Sequence, residues 1–301
     1  MCSSRTPRRL ILWVLLTGLC AWVAASVYLG EIMLRLPRKA LPVITKWEVA
    51  APEDAAITSA DGVPMAAWLF TSPRSRGAAV IVLHGQTDNR AGMLGYANLF
   101  LRNGYDVLAP DLRGHGASGG ELSTYGFLEA DDLRRWLDWL AARRPGERVF
   151  GFGESMGAAI LIQSLAVESR FCAVVAEAPY ASLREIAYDR LSQRWGASTW
   201  PGRYPLRPIL ELAIVYDRVR YGVDLDRVSP ETAVRASHTP VLLIYGSEDR
   251  NTPPRHARRI HQGNPARVSL WQIPTSAHAG AWGALPLEFE KRVLAWFSPD
   301  R

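Results

Sequence analysis

The 301 residues are 48% hydrophobic and 21% charged, the balance of a globular protein with a sizeable core, enough for one large domain or two modest ones. The 35 basic and 29 acidic side chains give a net charge of +6, but residues 1–40 hold six of the basic groups (Arg5, Arg8, Arg9, Arg35, Arg38 and Lys39) against Glu31 alone. The rest of the chain is close to neutral, so the basicity belongs to the tail and no nucleic-acid-binding face is expected.

The first predicted element is a hydrophobic helix. Arg5, Arg8 and Arg9 precede an uncharged run from Leu10 to Gly30, rich in Leu, Val, Ala and Trp. As a helix this run spans roughly 30 Å, about one hydrocarbon core. Residues 1–30 therefore read as an uncleaved signal anchor. The competing reading is a signal peptide cleaved at Val23-Ala24-Ala25, leaving a secreted or periplasmic domain. The run exceeds a usual signal-peptide core, and Trp13, Trp22 and Tyr28 suit burial in lipid with interfacial anchoring. Leu19 before Cys20 argues against a lipoprotein. The early arginines favour a cytoplasmic N-terminus, which puts the domain on the non-cytoplasmic side.

Residues 31–55, broken by Pro37, Pro42 and Pro52, form a connector, amphipathic over Ile32–Lys39. The domain proper is expected over 56–298. Asp61-Gly62 marks a turn before the strand Met65–Phe70. Apolar runs follow at Ala78–Leu83, Tyr105–Ala109, Arg148–Phe152, Phe171–Glu177, Val241–Tyr245 and Val268–Ile273. Helical segments separate them at about 92–103, 124–143, 155–167, 253–262 and 284–297. Alternating strands and helices with fully apolar strands predict an α/β fold, a mostly parallel sheet covered by helices on both faces. Cys172 falls in one of these strands and is expected to be a buried inert thiol. With Cys2 and Cys20 it forms neither a disulfide framework nor a metal-ligand spacing.

One interval breaks the rhythm. Pro179 to Thr239 is 61 residues, more than a crossover needs. It carries Trp195, Trp200, Pro201, Tyr204, Pro205 and Pro208, and a helix-like run Ile209–Tyr216. Its place after the strand that follows Ser155 predicts a cap at about 180–238 over the site.

The chemistry centres on Gly153-Glu154-Ser155-Met156-Gly157, a Gly-x-Ser-x-Gly elbow between a predicted strand and a predicted helix. Gly153 and Gly157 are expected where a side chain would collide with neighbouring elements. Ser155 is the candidate nucleophile, and it needs a base and an acid to orient that base. His278 lies on the loop after the last predicted strand, at the sheet edge where open α/β sheets build sites, and is the candidate base. Gly246-Ser247-Glu248-Asp249 ends the preceding strand; Asp249 is the candidate acid, with Glu248 facing solvent. For an oxyanion hole the candidate donors are the amides of Met156 and of Gln86, in His84-Gly85-Gln86. His84 reads as structural, His256 and His261 as members of a solvated helix face, and Asp111 as a loop organiser beside Arg113.

Five segments, His84-Gly85-Gln86, Asp111-Leu112-Arg113-Gly114-His115-Gly116-Ala117-Ser118, Gly153-Glu154-Ser155-Met156-Gly157, Gly246-Ser247-Glu248-Asp249 and the terminal Ala277-His278, come in an order that resembles the alpha/beta-hydrolase superfamily over roughly residues 56–298. The layout is similar to its membrane-anchored serine hydrolases related to acylglycerol lipases and acyl-thioesterases. That resemblance implies hydrolysis of a small-molecule or lipid-like acyl ester or thioester through an acyl-enzyme, with no metal or organic cofactor. Ala277 departs from the glycine relatives often carry there, with little expected effect. Alternatives are a serine peptidase of the same fold, or a non-catalytic membrane-tethered binding module.

Overall fold

The structure, a computed structural model, describes residues 5–194 and 207–298; Trp195, Trp200, Pro201, Tyr204 and Pro205 lie outside them. In chain order the elements are helix α1 (Arg5–Leu34) and strands β1 (Glu53–Thr58), β2 (Pro64–Phe70) and β3 (Ala78–Leu83). Then come α2 (Leu94–Arg102), β4 (Asp106–Pro110), α3 (Glu129–Arg143), β5 (Arg148–Glu154), α4 (Met156–Ser164) and β6 (Phe171–Glu177). The long interval carries α5 (Leu183–Arg194), α6 (Arg207–Tyr221) and α7 (Pro230–Ala233). The chain finishes with β7 (Val241–Gly246), α8 (Arg255–Gly263), β8 (Val268–Ile273), α9 (Ala281–Ala284) and α10 (Pro286–Trp296).

The eight strands form one sheet in the order β1-β2-β4-β3-β5-β6-β7-β8. β1, β2 and β4 pair antiparallel, and all pairs from β4 through β8 are parallel. Strand β3 is central and wholly buried. Its alternate residues feed different layers: Ala79, Ile81 and Leu83 face one core and Ala78, Val80 and Val82 the other. Helices α3, α4 and α8 cover the first face, and α2, α9 and α10 the second. In α3 the buried set Leu133, Trp136, Leu137 and Leu140 has the spacing of a one-faced amphipathic helix.

Three expectations need correction. The helix expected from 124 begins at Glu129, because the Glu129 carboxylate turns back to accept the Thr124 and Gly126 N–H groups (2.6 and 2.7 Å) and holds that segment as a turn. Cys172 is exposed, not buried. The β5–β6 register shifts between Val149 and Phe150, so the pairing passes from Phe171 to Ala173 and skips Cys172. His256 is fully buried rather than solvated, and His261 is half-buried. His256 Nδ1 accepts the Ala181 N–H (3.1 Å), which leaves Nε2–H to donate to Asp189 (2.9 Å) and ties α5 to α8.

Among the described residues α1 alone is long and apolar enough to cross a membrane, over Arg8–Leu34. Its first part is exposed on all sides, whereas Ser26, Gly30 and Leu34 are buried four residues apart. That stripe faces α6, where a Cβ on Gly30 would lie 2.7 Å from Asp217 Oδ1 and 2.8 Å from the Tyr216 ring. The segment after α1 is docked onto the domain. Arg38 donates to the Gly116, Ser118 and Gly120 carbonyls, and Asn89 Nδ2 donates to the Lys39 and Ala40 carbonyls.

Candidate active site

Ser155 sits between the end of β5 and the start of α4 at φ 53°, ψ −112°. The two glycines flanking it are sterically required. A Cβ on Gly153 would meet the Ala158 nitrogen and Gly157 carbonyl carbon at 2.7 Å, and one on Gly157 would meet the Leu83 and His84 oxygens at 2.4 and 2.5 Å. Strand β3, the elbow and α4 therefore pack backbone on backbone, and the serine side chain turns out at the C-terminal edge of the sheet.

The other two candidate residues reach the same point. His278, on the loop between β8 and α9, places Nε2 2.8 Å from Ser155 Oγ and Nδ1 2.8 Å from Asp249 Oδ2. A carboxylate only accepts, so Nδ1 carries the hydrogen and Nε2 is free to accept the serine O–H. Asp249 is buried just past β7, and its other oxygen accepts the Thr252 N–H (2.8 Å), while Glu248 is exposed. The residue before His278 needs no glycine: Ala277 is exposed and has no positive φ, in contrast to Thr275 and Ala279 at 54° and 49°.

Gln86 and Met156 line the same cavity as Ser155. Gly85 is adjacent, with its Cβ position 3.6 Å from Ser155 Cβ. The loop carrying Gln86 is fixed by the 111–118 segment. His84 Nε2 accepts the Leu112 N–H (3.1 Å) and His115 Nε2 accepts the Thr87 N–H (3.3 Å). Each imidazole then donates from Nδ1 to a carbonyl, Gly85 (2.8 Å) and Arg113 (2.9 Å). Burial pushes His84 down to about 3, so it stays neutral. Asp111 joins the two loops by accepting the Arg90 and Ala117 N–H groups, both at 2.7 Å. It thus organises a loop as expected, but not with Arg113, whose guanidinium goes to Asp132 and Asp61.

Several contributors were not foreseen from the sequence. The Gln86 side chain is gripped by Arg190, which donates to its oxygen (2.6 Å), and approaches the Tyr125 hydroxyl (3.4 Å). Glu177, at the end of β6, accepts the Ala281 N–H (2.9 Å) and the Tyr96 hydroxyl (3.3 Å), fixing the start of α9 just past His278. Burial, with Glu154 nearby, pushes Glu177 up to about 7. The cavity itself, about 750 Å³, is lined on one side by α1 and on others by α5 and α6. Among the described lining residues Arg190 and Arg194 are basic and no carboxylate is present. No group of three or more His, Cys, Asp or Glu among the described residues is arranged to hold a metal ion.

Comparison with known proteins agrees with this architecture. Residues 74–236 match the family described as serine aminopeptidase, S33. The uncharacterized protein YqkD of Bacillus subtilis is 29% identical over 214 residues, covering 69% of this chain and 67% of its own. The alpha/beta hydrolase domain-containing protein WAV2 of Arabidopsis thaliana is 24% identical over 300 residues, covering 93% and 92%. A solved structure of the Pyrococcus furiosus esterase Pf2001 superposes with a TM-score of 0.69 and 27% identity, over 88% of this chain and 97% of that one. The fold, the elbow and the family match place the chain in the serine aminopeptidase family so described, and with it among the serine hydrolases of the alpha/beta-hydrolase superfamily.

Proposed function

We propose that the protein is a serine esterase, acting on carboxylic esters or thioesters through an acyl-enzyme. The observation that carries this reading is His278, within 2.8 Å of both Ser155 Oγ and Asp249 Oδ2. In the forward step His278 Nε2 takes the Ser155 proton as Oγ bonds to the acyl carbon, and the amides of Gln86 and Met156 hold the oxyanion. Collapse breaks the bond to the alcohol or thiol, which leaves with the proton from His278. Water then loses a proton to His278, attacks the acyl carbon, and releases the acid and free Ser155. Asp249 holds the imidazole in the tautomer this needs and stabilises the imidazolium.

The family's description names an aminopeptidase, which must bind a free α-ammonium. Among the described residues the Ser155 cavity offers arginines and no carboxylate for that task, and its walls are mainly apolar. That composition supports an acyl ester instead, and the likeness to an esterase of known structure points the same way. On the same reading α1 is an uncleaved single-pass anchor with its arginines in the cytoplasm, and 180–238 is a cap that selects the substrate.

A fluorophosphonate probe is expected to label the wild-type protein and not Ser155→Ala. His278→Ala is expected to lower hydrolysis of a short-chain aryl ester by about 10⁴-fold or more, and Asp249→Asn by about 10³–10⁴-fold. Equal labelling of wild type and Ser155→Ala would refute the assignment. Absence of both labelling and turnover would favour a tethered binding module.

A further inference from the structure

Five α1 residues, Ala25, Tyr28, Leu29, Ile32 and Met33, line the cavity that holds Ser155. The helix is fastened there by specific contacts. Gly30 lets α6 close against it. Tyr216 and Tyr221 both donate their hydroxyls to Glu31 (2.5 Å each), and the Tyr125 hydroxyl donates to the Met33 carbonyl (2.6 Å). Tyr125 itself lines the cavity and neighbours the Gln86 side chain. The last turns of α1 are thus a built wall of the site.

Helix length fixes where that wall lies. A hydrocarbon core of about 30 Å takes about 20 residues at 1.5 Å per residue. Counted from Arg9, the charged end of the exposed part, the far boundary falls at Leu29, in the turn that faces the cavity. Tyr28, 67% exposed, is an interfacial residue type at this level, and the next charge is Glu31. Across the cavity Leu183, Ile186 and Leu210 supply the opposite apolar wall. At about 750 Å³ the space has room for one acyl chain with a compact alcohol.

We propose that α1 forms part of the substrate site and that the substrate is a single-chain lipid ester entering from the membrane leaflet, its acyl chain between α1 and the α5–α6 wall and its carbonyl at Ser155. This inference rests on the acyl-enzyme reading above and adds the substrate class and the route of entry.

The test uses the full-length protein in phosphatidylcholine vesicles. A fluorophosphonate bearing a long alkyl chain with a terminal diazirine is allowed to label Ser155 and is then photolysed. Crosslinks are expected within residues 25–33 of α1 in the wild-type protein; crosslinks confined to other segments would overturn the proposal. As a second arm, kcat/KM is compared for a dodecanoyl monoacylglycerol in the vesicles and a soluble butyryl ester. Leu29→Trp with Ile32→Trp is expected to lower the long-to-short ratio by about tenfold or more. Val14→Trp, on the exposed part of α1, is expected to leave that ratio where it was. An unmoved ratio in the double variant, with Ser155 still labelled, refutes the α1 wall alone. Failure of the probe to label the wild type refutes the acyl-enzyme reading beneath it.

Discussion

Ser155 is held in a backbone conformation, φ 53° and ψ −112°, that costs a residue bearing a Cβ about 1–3 kcal/mol. Because glycine accepts it freely, Ser155→Gly is expected to raise stability by about 1 kcal/mol while abolishing probe labelling. Ser155→Ala loses labelling without that gain, and thermal unfolding of the two variants side by side checks the difference. Gly157→Ala is expected to act in the opposite sense, since its Cβ would lie 2.4 Å from the Leu83 oxygen and 2.5 Å from the His84 oxygen, both backbone atoms. A loss of about 3 kcal/mol or more, or failure to fold, is the expected outcome in denaturant unfolding. At this scale much of the site was legible. Ser155, His278 and Asp249 each follow a strand-like run and carry local signals, so their convergence follows from the parallel sheet that ends all those strands at one edge. Glu177 ends a strand-like run but gives no sign of its partners, and Tyr125 and Arg190 carry no such signal. Their roles depend on partners 104, 39 and 104 positions away, which only the folded chain brings into reach.

At the scale of elements, the α1–α6 contact contains a buried carboxyl with neither oxygen hydrogen-bonded, Asp217. Burial, with Glu31 nearby, pushes it up from 3.8 to about 7. A carboxyl raised in the folded state binds its proton more tightly there than in the unfolded chain. Its contribution is therefore neutral below its ordinary value, and stability falls as pH rises from 3.8 to about 7, then levels. Asp217→Asn is expected to remove this slope. Its melting temperature should exceed that of the wild type by a margin that widens from pH 4 to pH 8, read by thermal unfolding in micelles, and a constant margin would contradict the assignment. The α5–α8 contact makes a second case. His256→Ala leaves the buried Ala181 N–H without its acceptor and is expected to cost about 1–3 kcal/mol in denaturant unfolding. The sequence misplaced this histidine because the neighbouring Arg255, Arg258 and Arg259 mark the helix as polar, while the buried face of α8 is only Ala257, Ile260 and His256 itself. Helix α5 was missed for a related reason: its buried set, Leu183, Ile186, Asp189 and Ser192, is half polar and gives no apolar stripe.

For the whole molecule, an α/β architecture was readable because β3 through β8 are short apolar runs separated by helical segments, and only a sheet covered on both faces buries such strands. What the pattern does not carry is the assembly of the N-terminal helix onto the domain. The apolar run makes α1 long and apolar enough to cross a membrane, but its stripe of Ser26, Gly30 and Leu34 reads as ordinary membrane-helix composition until α6 is placed against it. On the proposed function, an anchor, a sheet edge and a cavity serve one enzyme whose chemistry passes through a covalent intermediate on Ser155. The most direct test of that claim is acid-quench mass spectrometry of the full-length protein mixed with a short-chain aryl ester. A burst of aryl alcohol is expected and, in the same samples, an acyl mass added to the peptide containing Ser155, both lost in Ser155→Ala. Steady turnover in Ser155→Ala, or a wild-type burst with the acyl group on another residue, would contradict it.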